Sequence, residues 1–350
     1  MRIVVNDIAA SKGGAMAVLR DFYNCVKEND KENEWIFLLG DKYFDETENV
    51  RIVALPEIKK SSLKRLAFDF LTGKSFISKL NPDVVFSMQN TITYGVKVPQ
   101  VVYMHQSIPF QDVKKFSFVK SSERKIAVVQ YFLGALIRAS VRRATKTIVQ
   151  TEWIRDAVIK KCKVAPERVV NVLPPMKDVS AYANIACFDK TKFFYPTADM
   201  IYKNNGVIFE ASEKLQKEGI SHNVCLTLPP EKSRGAVNCI GRIEFEEVLK
   251  KYSESTLVFP SYIETFGYPL AEARAIGTVI LASDCAFSRE VLDGYENAYF
   301  FNPFKPEELA LLMKKVADGE ILPQSTDKKL VSLSNSWEKV LHEVVAVSKQ

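Results

Sequence analysis

Residues 259–283 read FPSYIETFGYPLAEARAIGTVILAS, which has the pattern of a strand, a loop, a helix and a second strand. The stretch opens with the end of a short apolar run that stops at a proline, as a buried parallel strand does. Pro269 suits the first turn of a helix and Gly277 suits the position just past its end, so the pattern predicts a helix over about 269–276. The loop therefore lies at the carboxyl end of a parallel strand, where open α/β sheets bind ligands.

Two carboxylates bracket this predicted ligand loop. Glu264 lies within the loop, and Glu272 is expected in the first turn of the helix. Between them, Phe266 and Gly267 place backbone N–H groups at a helix N-terminus, where unpaired donors and the helix dipole both favour a phosphate. A carboxylate close to such a site can accept hydrogen bonds from a ribose diol. The unit therefore predicts a site for sugar hydroxyls, a diphosphate and a ribose.

The two glutamates and the residues between them carry a resemblance to a known family. The pattern Glu264-x7-Glu272, with Phe-Gly and Pro-Leu-Ala-Glu inside it, resembles the signature of retaining glycosyltransferases of the GT-B fold, especially family 4. The resemblance implies an α/β fold in which two Rossmann-like domains face each other across a cleft for donor and acceptor. It also implies that Glu264 holds donor sugar hydroxyls, that Glu272 holds the ribose, and that Phe266, Gly267 and Leu270 belong to the donor site.

The length of 350 residues fits two domains. Alternating apolar runs and helical patterns predict parallel sheets with right-handed crossovers. The resemblance divides the chain into an acceptor-binding domain at 1–175, a linker at 176–190 and a nucleotide-sugar-binding domain at 191–330. It further implies that a helix within 331–350 returns to the N-terminal domain.

The resemblance assigns four more site residues. Gly14 ends the glycine loop after the first strand, which approaches the donor diphosphate and the acceptor. His105 follows a predicted strand and would lie beside the donor sugar as a catalytic residue, although a histidine here could also simply bond local backbone. Lys203 matches the lysine on the donor phosphates, and Ile240 precedes the turn that touches the nucleotide base. Pro196-Thr197 stands where many family members have Gly-Arg, so a second phosphate cation is left unassigned.

The reaction expected from these residues needs neither a metal nor a cofactor. The sequence contains no Asp-x-Asp motif, and a cationic site can neutralise the diphosphate without a divalent ion. The resemblance implies retention of anomeric configuration without a clear protein nucleophile, and Glu264 and His105 are the expected catalytic residues. Two other functions stay open: a nucleotide-sugar epimerase on the same architecture, which would form product without an acceptor, and a non-catalytic nucleotide-sugar-binding protein.

The composition is that of a globular protein without a membrane span. Apolar residues make up 47% and charged residues 26% of the chain, and no run of 18 apolar residues occurs. The chain enters a strand at once, without the pattern of an export signal. Its six cysteines are scattered and include no Cys-x-x-Cys pair, which favours neither a zinc site nor a disulfide framework. We therefore expect a cytoplasmic protein.

Residues 114–146 form a basic and apolar segment with nine lysines or arginines and one acid, Glu123. Such a segment either lies on an anionic membrane surface or forms a core helix with basic ends, and the sequence leaves both open. The first alternative predicts a peripheral protein on the cytoplasmic face of the inner membrane. Its expected acceptor is a glycan linked to a lipid, such as a polyprenyl diphosphate sugar of bacterial surface polysaccharide synthesis. Nucleic-acid binding is not expected, because the cluster is interleaved with aliphatic residues rather than an aromatic readout motif.

The donor is expected to be a nucleotide sugar carrying a hexose. A UDP-sugar is the first candidate and a GDP-sugar the second. The sequence alone does not distinguish them, since differences of a single hydroxyl in the pocket decide such selectivity.

Overall fold

The computed structural model describes residues 1–10, 13–183, 187–324 and 336–347. Contacts divide the described residues into two compact units. Unit 1 takes those within Met1–Phe110, Ile126–Pro175 and Ser334–Gln350, and unit 2 takes those within Gln111–Lys125 and Met176–Leu333. Parts of three predicted segments lie outside the described residues: the first glycine loop at 11–12, the linker at 184–186, and the terminal segment at 331–335 and 348–350.

Unit 1 is built on a parallel sheet of seven strands. They are β1 (Arg2–Asp7), β2 (Glu34–Leu39), β3 (Val50–Ala54), β4 (Val84–Ser87), β5 (Gln100–Tyr103), β6 (Lys146–Val149) and β7 (Val169–Asn171). Their order is β3-β2-β1-β4-β5-β6-β7, so the strand order reverses between β1 and β4. The central strands are buried on both faces, which explains their continuous apolar sequences.

Seven helices accompany the first half of the chain. They are α1 (Gly13–Asn29), α2 (Pro56–Lys59), α3 (Ser62–Ala67), α4 (Gly73–Lys79), α5 (Arg124–Ala127), α6 (Gly134–Arg143) and α7 (Glu152–Cys162). The sequence predicts one helix over 61–79, and the structure interrupts it with a π-helical turn, Phe68–Thr72. A second π-helical turn, Val128–Leu133, joins α5 to α6. Such turns occur often at functional sites, and apolar periodicity does not reveal them.

Unit 2 repeats the design with six parallel strands. They are β8 (Lys192–Tyr195), β9 (Asn223–Leu226), β10 (Val237–Cys239), β11 (Thr256–Phe259), β12 (Ile280–Ser283) and β13 (Ala298–Phe301). The helices are α8 (Asn205–Lys217), α9 (Phe245–Glu254), α10 (Tyr268–Ile276), α11 (Ala286–Val291) and α12 (Pro306–Asp318). The order β10-β9-β8-β11-β12-β13 is the doubly wound order of dinucleotide-binding sheets, with its reversal between β8 and β11.

The last described helix, α13 (Ser336–Ala346), belongs to the core of unit 1. The Trp337 ring lies 5.5 Å from the ring of Phe22 and 5.4 Å from that of Tyr103. An ion pair of 2.5 Å between Lys146 Nζ and Glu343 Oε2 joins the helix to β6. The terminal helix thus packs on the N-terminal sheet, as the resemblance implied.

The predicted α/β class, with two Rossmann-like parallel sheets, is confirmed. The sequence predicts a strand over 192–195 and a helix over about 205–217, and β8 and α8 have these bounds. Among the described residues, no helix combines the length and the apolar character needed to cross a bilayer.

Candidate functional site

The candidate site of unit 2 lies where the strand order reverses. Neighbouring segments at such a reversal leave a crevice at the carboxyl ends of the strands, and ligands bind there. The segment that follows β8 carries Lys203, and the loop that follows β11 carries Glu264. The structure brings these two predicted residues together, with 2.6 Å between Lys203 Nζ and Glu264 Oε1.

The Lys203–Glu264 pair is mostly shielded from solvent. The side chains are 19% and 17% exposed, so water screens their attraction weakly. The Ser261 hydroxyl donates a 2.7 Å hydrogen bond to the same Oε1 atom of Glu264. Burial, and then the charge of Glu264, hold the pKa of Tyr195 well above its usual range. The contacts with Lys203 and Ser261 hold the Glu264 side chain in a fixed direction. Ser261 was missed from the sequence, where its place three residues before Glu264 was the available signal.

A turn held by hydrogen bonds of Asn204 positions Lys203. Residues Ile201–Lys203 form a short 3-10 turn, and Asn204 follows in the left-handed region with φ of 57°. Asparagine tolerates that conformation better than most residues. Its side-chain amide donates to the carbonyls of Pro260, at 3.3 Å, and Pro303, at 2.6 Å. A lysine just before a helix N-terminus is electrostatically unfavourable, and Glu264 offsets this cost.

The start of α10 depends on Gly267. Gly267 has φ of 91°, and the helix begins directly after it at Tyr268, one residue earlier than predicted. The Leu270 N–H donates to the Gly267 carbonyl at 2.9 Å, while the Phe266 ring is buried with its edge against Tyr268. The expectation that Glu272 lies in the first turn was wrong. Because the helix starts early, Glu272 is its fifth residue and lies in the second turn.

Glu272 forms a contact of its own, separate from the Lys203–Glu264 pair. Tyr252 on α9 donates a hydrogen bond of 3.4 Å to Glu272 Oε2. Burial raises the pKa of Glu272 to about 7, an effect that the Tyr252 hydrogen bond and the positive charge of Lys177 partly oppose. The carboxyl group is consequently near the midpoint of its titration at neutral pH.

Replacing Gly267 by Ala should lower the free energy of unfolding by about 1–2 kcal/mol, because φ of 91° is strained for a residue with a Cβ. An added Cβ would meet only ordinary contacts, the nearest being Leu270 Cδ1 at 3.4 Å. Gly219→Ala is the matched control that isolates the backbone strain from new contacts. Its φ is 73°, and no atom lies within 4 Å of the added Cβ. Gly206→Ala in α8 should instead stabilise by about 0.5–1 kcal/mol. Denaturant unfolding measures all three, and an unchanged Gly267→Ala midpoint would contradict the strain argument.

His105 lies in unit 1, just after β5. Its backbone N–H donates to Asn90 Oδ1 at 2.9 Å, and the Asn90 amide nitrogen lies 3.2 Å from His105 Nε2. Burial lowers the pKa of His105 to about 4, so the ring is neutral at physiological pH. A neutral imidazole can exchange hydrogen bonds with a sugar hydroxyl but brings no positive charge.

The two remaining predicted residues occupy loop and helix ends. Gly14 lies in the first turn of α1, and no atom lies within 4 Å of a Cβ built there. Ile240 follows β10 and is half-buried, and its N–H donates to the Leu226 carbonyl at 2.9 Å. Gly241 then turns with φ of 74°. This turn lies at the carboxyl edge of the unit 2 sheet, beside the end of β9.

The position of the absent arginine is filled by hydroxyl hydrogen bonds. Thr197 forms two hydrogen bonds with the hydroxyl group of Thr227. The Thr197 backbone N–H donates to Thr227 Oγ1 at 2.6 Å, and the Thr227 hydroxyl donates to the Thr197 carbonyl at 2.8 Å. The Thr197 hydroxyl donates to Asn205 Oδ1 at 2.8 Å. An ion pair between Lys232 and Asp199 lies in the same region. Lys232 thus brings a second cation to the segment that carries Lys203.

The basic segment 114–146 is shared between the two units. In unit 1, Arg138 and Arg142 donate to the carbonyls of Pro109, at 3.4 Å, and Cys162, at 3.1 Å. These bonds give both arginines a structural role, in line with the core-helix alternative for α6. The π-helical turn before α6 nevertheless exposes Phe132.

Comparison with known proteins finds a match within unit 2. Residues 231–330 match the family model described as Glycosyl transferases group 1, and the matched stretch includes Glu264 and Glu272. One curated relative is the O-antigen chain mannosyltransferase RfbU of Salmonella typhimurium, 22% identical over 213 residues. The alignment covers 57% of this chain and 57% of RfbU, so the chain spans just over half the length of that relative.

Solved structures place the fold among the GT-B glycosyltransferases. WaaG, a glycosyltransferase involved in lipopolysaccharide biosynthesis, has a TM-score of 0.69 and 15% identity, covering 98% of this chain and 99% of WaaG. Anabaena Alr3699/HepE, solved in complex with UDP and glucose, has a TM-score of 0.57 and 15% identity, covering 100% and 97%. At these identities the likeness establishes the fold, and the chemistry must be argued from the site.

Proposed function

We propose that this protein is a retaining, metal-independent glycosyltransferase that moves a hexose from a nucleotide sugar to a glycan acceptor. The observation that carries the proposal is the Lys203–Glu264 pair, fixed at 2.6 Å where the strand order of unit 2 reverses. The family match over 231–330 and the curated mannosyltransferase relative support the reaction class. A lipid-linked acceptor of bacterial surface polysaccharide synthesis, met at a membrane surface, is part of the same proposal.

In the proposed reaction, unit 2 binds the donor and stabilises the leaving diphosphate. Lys203 and the backbone N–H groups near Gly267 would face the phosphates, whose negative charge grows as the bond to the sugar breaks. Glu264 would accept hydrogen bonds from the sugar hydroxyls and hold Lys203 in place. Glu272 would accept from the ribose diol. Each of these groups is ordered before the donor binds, so little reorganisation is needed in the transition state.

The unit 1 residues are proposed to act on the transferred sugar and on the acceptor. A neutral His105, oriented by Asn90, can exchange a hydrogen bond with the transferred sugar. Gly14 leaves room for a close backbone approach. Attack by the acceptor hydroxyl on the face from which the diphosphate leaves would retain the anomeric configuration without a protein nucleophile.

The nucleotide of the donor is the first point to test. UDP was bound in Alr3699/HepE, and RfbU transfers mannose, so UDP-sugars and GDP-sugars are both tested, with the UDP-sugar expected. A ligand that binds only the folded protein raises the melting temperature. We expect one nucleotide class to do so equally with and without magnesium. A shift that requires magnesium would refute metal independence, and no shift with either class would refute the donor site.

Turnover distinguishes the three functions that the sequence left open. A transferase consumes the donor faster when acceptor is added, and the anomeric coupling of the product by NMR tests retention. Product formed without any acceptor would favour an epimerase instead. Nucleotide-sugar binding without turnover, unaffected by Glu264→Ala, would favour a non-catalytic binding protein.

Donor affinity should rise with pH because the ionised carboxylate of Glu272 can accept from both ribose hydroxyls, and more strongly than the protonated group. With its pKa at about 7, the ionised fraction grows from about a tenth at pH 6 to about nine tenths at pH 8. We expect the Kd of a UDP-sugar to fall about 5- to 10-fold over this interval. The nucleotide sugar suits the measurement, since it lacks the terminal phosphate that titrates at about pH 6. Calorimetry of Glu272→Gln should give a flat profile, and an equal slope in both proteins would contradict this role.

A further inference from the structure

A pocket of about 230 Å³ lies in unit 1 near the reversal between β1 and β4. Its floor comes from loops that follow β1, β4 and β5, including Ala9, Asn90 and Gln106. Its two walls are helical, and each contains one of the π-helical turns. The wall residues are Ser62, Arg65, Leu66 and Asp69 on one side and Val129, Leu133, Leu136 and Ile137 on the other.

The polar end of the pocket is suited to an anion. Arg65 is the one lysine or arginine among the described residues that line it, and its guanidinium is held by the Lys59 carbonyl at 2.9 Å and Ser62 Oγ at 3.0 Å. The Asp69 carboxyl group is buried and already accepts from Thr91, at 2.7 Å, and from Gln89, at 2.9 Å. Burial raises the pKa of Asp69 to about 7, so its negative charge is reduced at neutral pH. Arg65 is the basic side chain that an anionic ligand would meet there.

The other end of the pocket is aliphatic. Leu66, Val129, Leu133 and Leu136 line it without an aromatic ring among them. Flat bases and sugar rings are commonly held by stacking on aromatic side chains, whereas branched aliphatic walls fit a flexible hydrocarbon chain. An apolar cavity joined to one cation therefore matches an amphiphile with a phosphate at its head.

The outer surfaces of the same helical segments point to where such a ligand would come from. Leu63 is 77% exposed, Leu71 78% and Phe132 59%. Exposed lysines, among them Lys60 and Lys64, interleave with them on the first segment. Apolar side chains mixed with basic ones favour contact with an anionic lipid surface.

We propose that this pocket binds the carrier end of a lipid-linked acceptor, with the hydrocarbon chain against the aliphatic wall and the first phosphate on Arg65. The inference rests on the proposed function only in naming this ligand as the acceptor. Asn90 both lines the pocket and holds His105 through two polar contacts. A ligand seated in the pocket therefore contacts a residue that orients the candidate catalytic histidine.

Farnesyl phosphate, used below its micelle concentration, is the probe for the pocket. We expect calorimetry to show binding at least about 10-fold tighter than that of farnesol or of inorganic phosphate, since each of those fills one end only. Leu133→Trp fills the aliphatic end and should weaken farnesyl phosphate about 10-fold or more. Leu311→Trp adds the same ring to an exposed site of α12 in unit 2 and should change nothing.

Charge is tested separately. Arg65→Gln should weaken farnesyl phosphate about 10-fold while leaving farnesol unchanged. Arg51→Gln, an exposed arginine on β3, is its control and should affect neither ligand. Val129→Phe, a smaller insertion, replaces Leu133→Trp if that variant has a lowered melting temperature.

Three results would overturn the proposal. The first is that farnesyl phosphate and inorganic phosphate bind with equal affinity. The second is that both cavity-filling variants bind farnesyl phosphate as tightly as the unchanged protein. The third is that Arg65→Gln and Arg51→Gln lose equal affinity for farnesyl phosphate. Nucleotide-induced thermal shifts of the same variants report on unit 2 independently. Farnesyl phosphate binding without any nucleotide response would retain the pocket and reject the transferase, whereas the reverse would reject the pocket alone.

Discussion

Replacing Glu264 by Gln is expected to lower kcat/KM about 100- to 1,000-fold, the loss typical of one preorganised group that acts on developing charge. The amide keeps the size of the side chain but carries no charge, so it cannot form an ion pair with Lys203. The Lys203 ammonium lies 2.6 Å from Glu264 Oε1. Lys203→Met should cause a loss of similar size. The readout is the initial rate of nucleotide release with acceptor present.

The double variant distinguishes a coupled pair from two independent residues. Because Lys203 and Glu264 are in direct contact, the double variant should be hardly worse than the poorer single variant. Lys305→Met is the control, since Lys305 forms a 3.0 Å ion pair with Glu308 elsewhere in unit 2 and is half exposed. It should change the rate less than about 3-fold. Multiplicative losses in the Lys203 and Glu264 variants would refute the shared role.

Trp337→Ala should destabilise unit 1 by about 3–5 kcal/mol, the range for deleting a large aromatic ring from a core. The ring is 8% exposed and packs against Phe22 and Tyr103. Trp337→Phe retains much of this packing and should cost less than about 2 kcal/mol. Glu338→Ala, the exposed next residue of α13, should cost under about 0.5 kcal/mol.

Hydrogen exchange resolved by peptide measures this effect in each unit separately. A two-unit protein need not unfold in one step, so a single melting temperature would mix the two. Peptides of β1, β2 and α1 should lose protection in Trp337→Ala, and peptides of β8 and β11 should keep it. Loss of protection spread evenly over both units would contradict a role confined to unit 1.

Local features of the sequence predicted most of the secondary structure. Buried parallel strands such as β8 carry continuous apolar runs, and Pro269 and Gly277 mark the ends of α10 by backbone chemistry alone. The spacing between Glu264 and Glu272 identified the loop of the candidate site. These signals are readable because each depends on neighbouring residues along the chain.

Contacts between distant residues were not readable in this way. Ser261 bonds Glu264 only because the loop folds back on itself, and Tyr252 reaches Glu272 from another helix. The sequence predicts a regular helix over 61–79, and a regular helix does not give the position that Asp69 takes in a π-helical turn of the pocket wall. The raised pKa of Glu272 likewise follows from burial that only the folded chain produces.

The place of α13 in the core of unit 1 affects how the chain folds during synthesis. Domains generally fold as they leave the ribosome, beginning at the N-terminus. The strands of unit 1 are made first, but Trp337, Val340 and Val344 of their core follow after all six strands of unit 2. Unit 2 can therefore complete its sheet while the apolar face beneath Phe22 is still uncovered. A nascent chain at this stage offers a binding site to chaperones, which the packing of α13 would close.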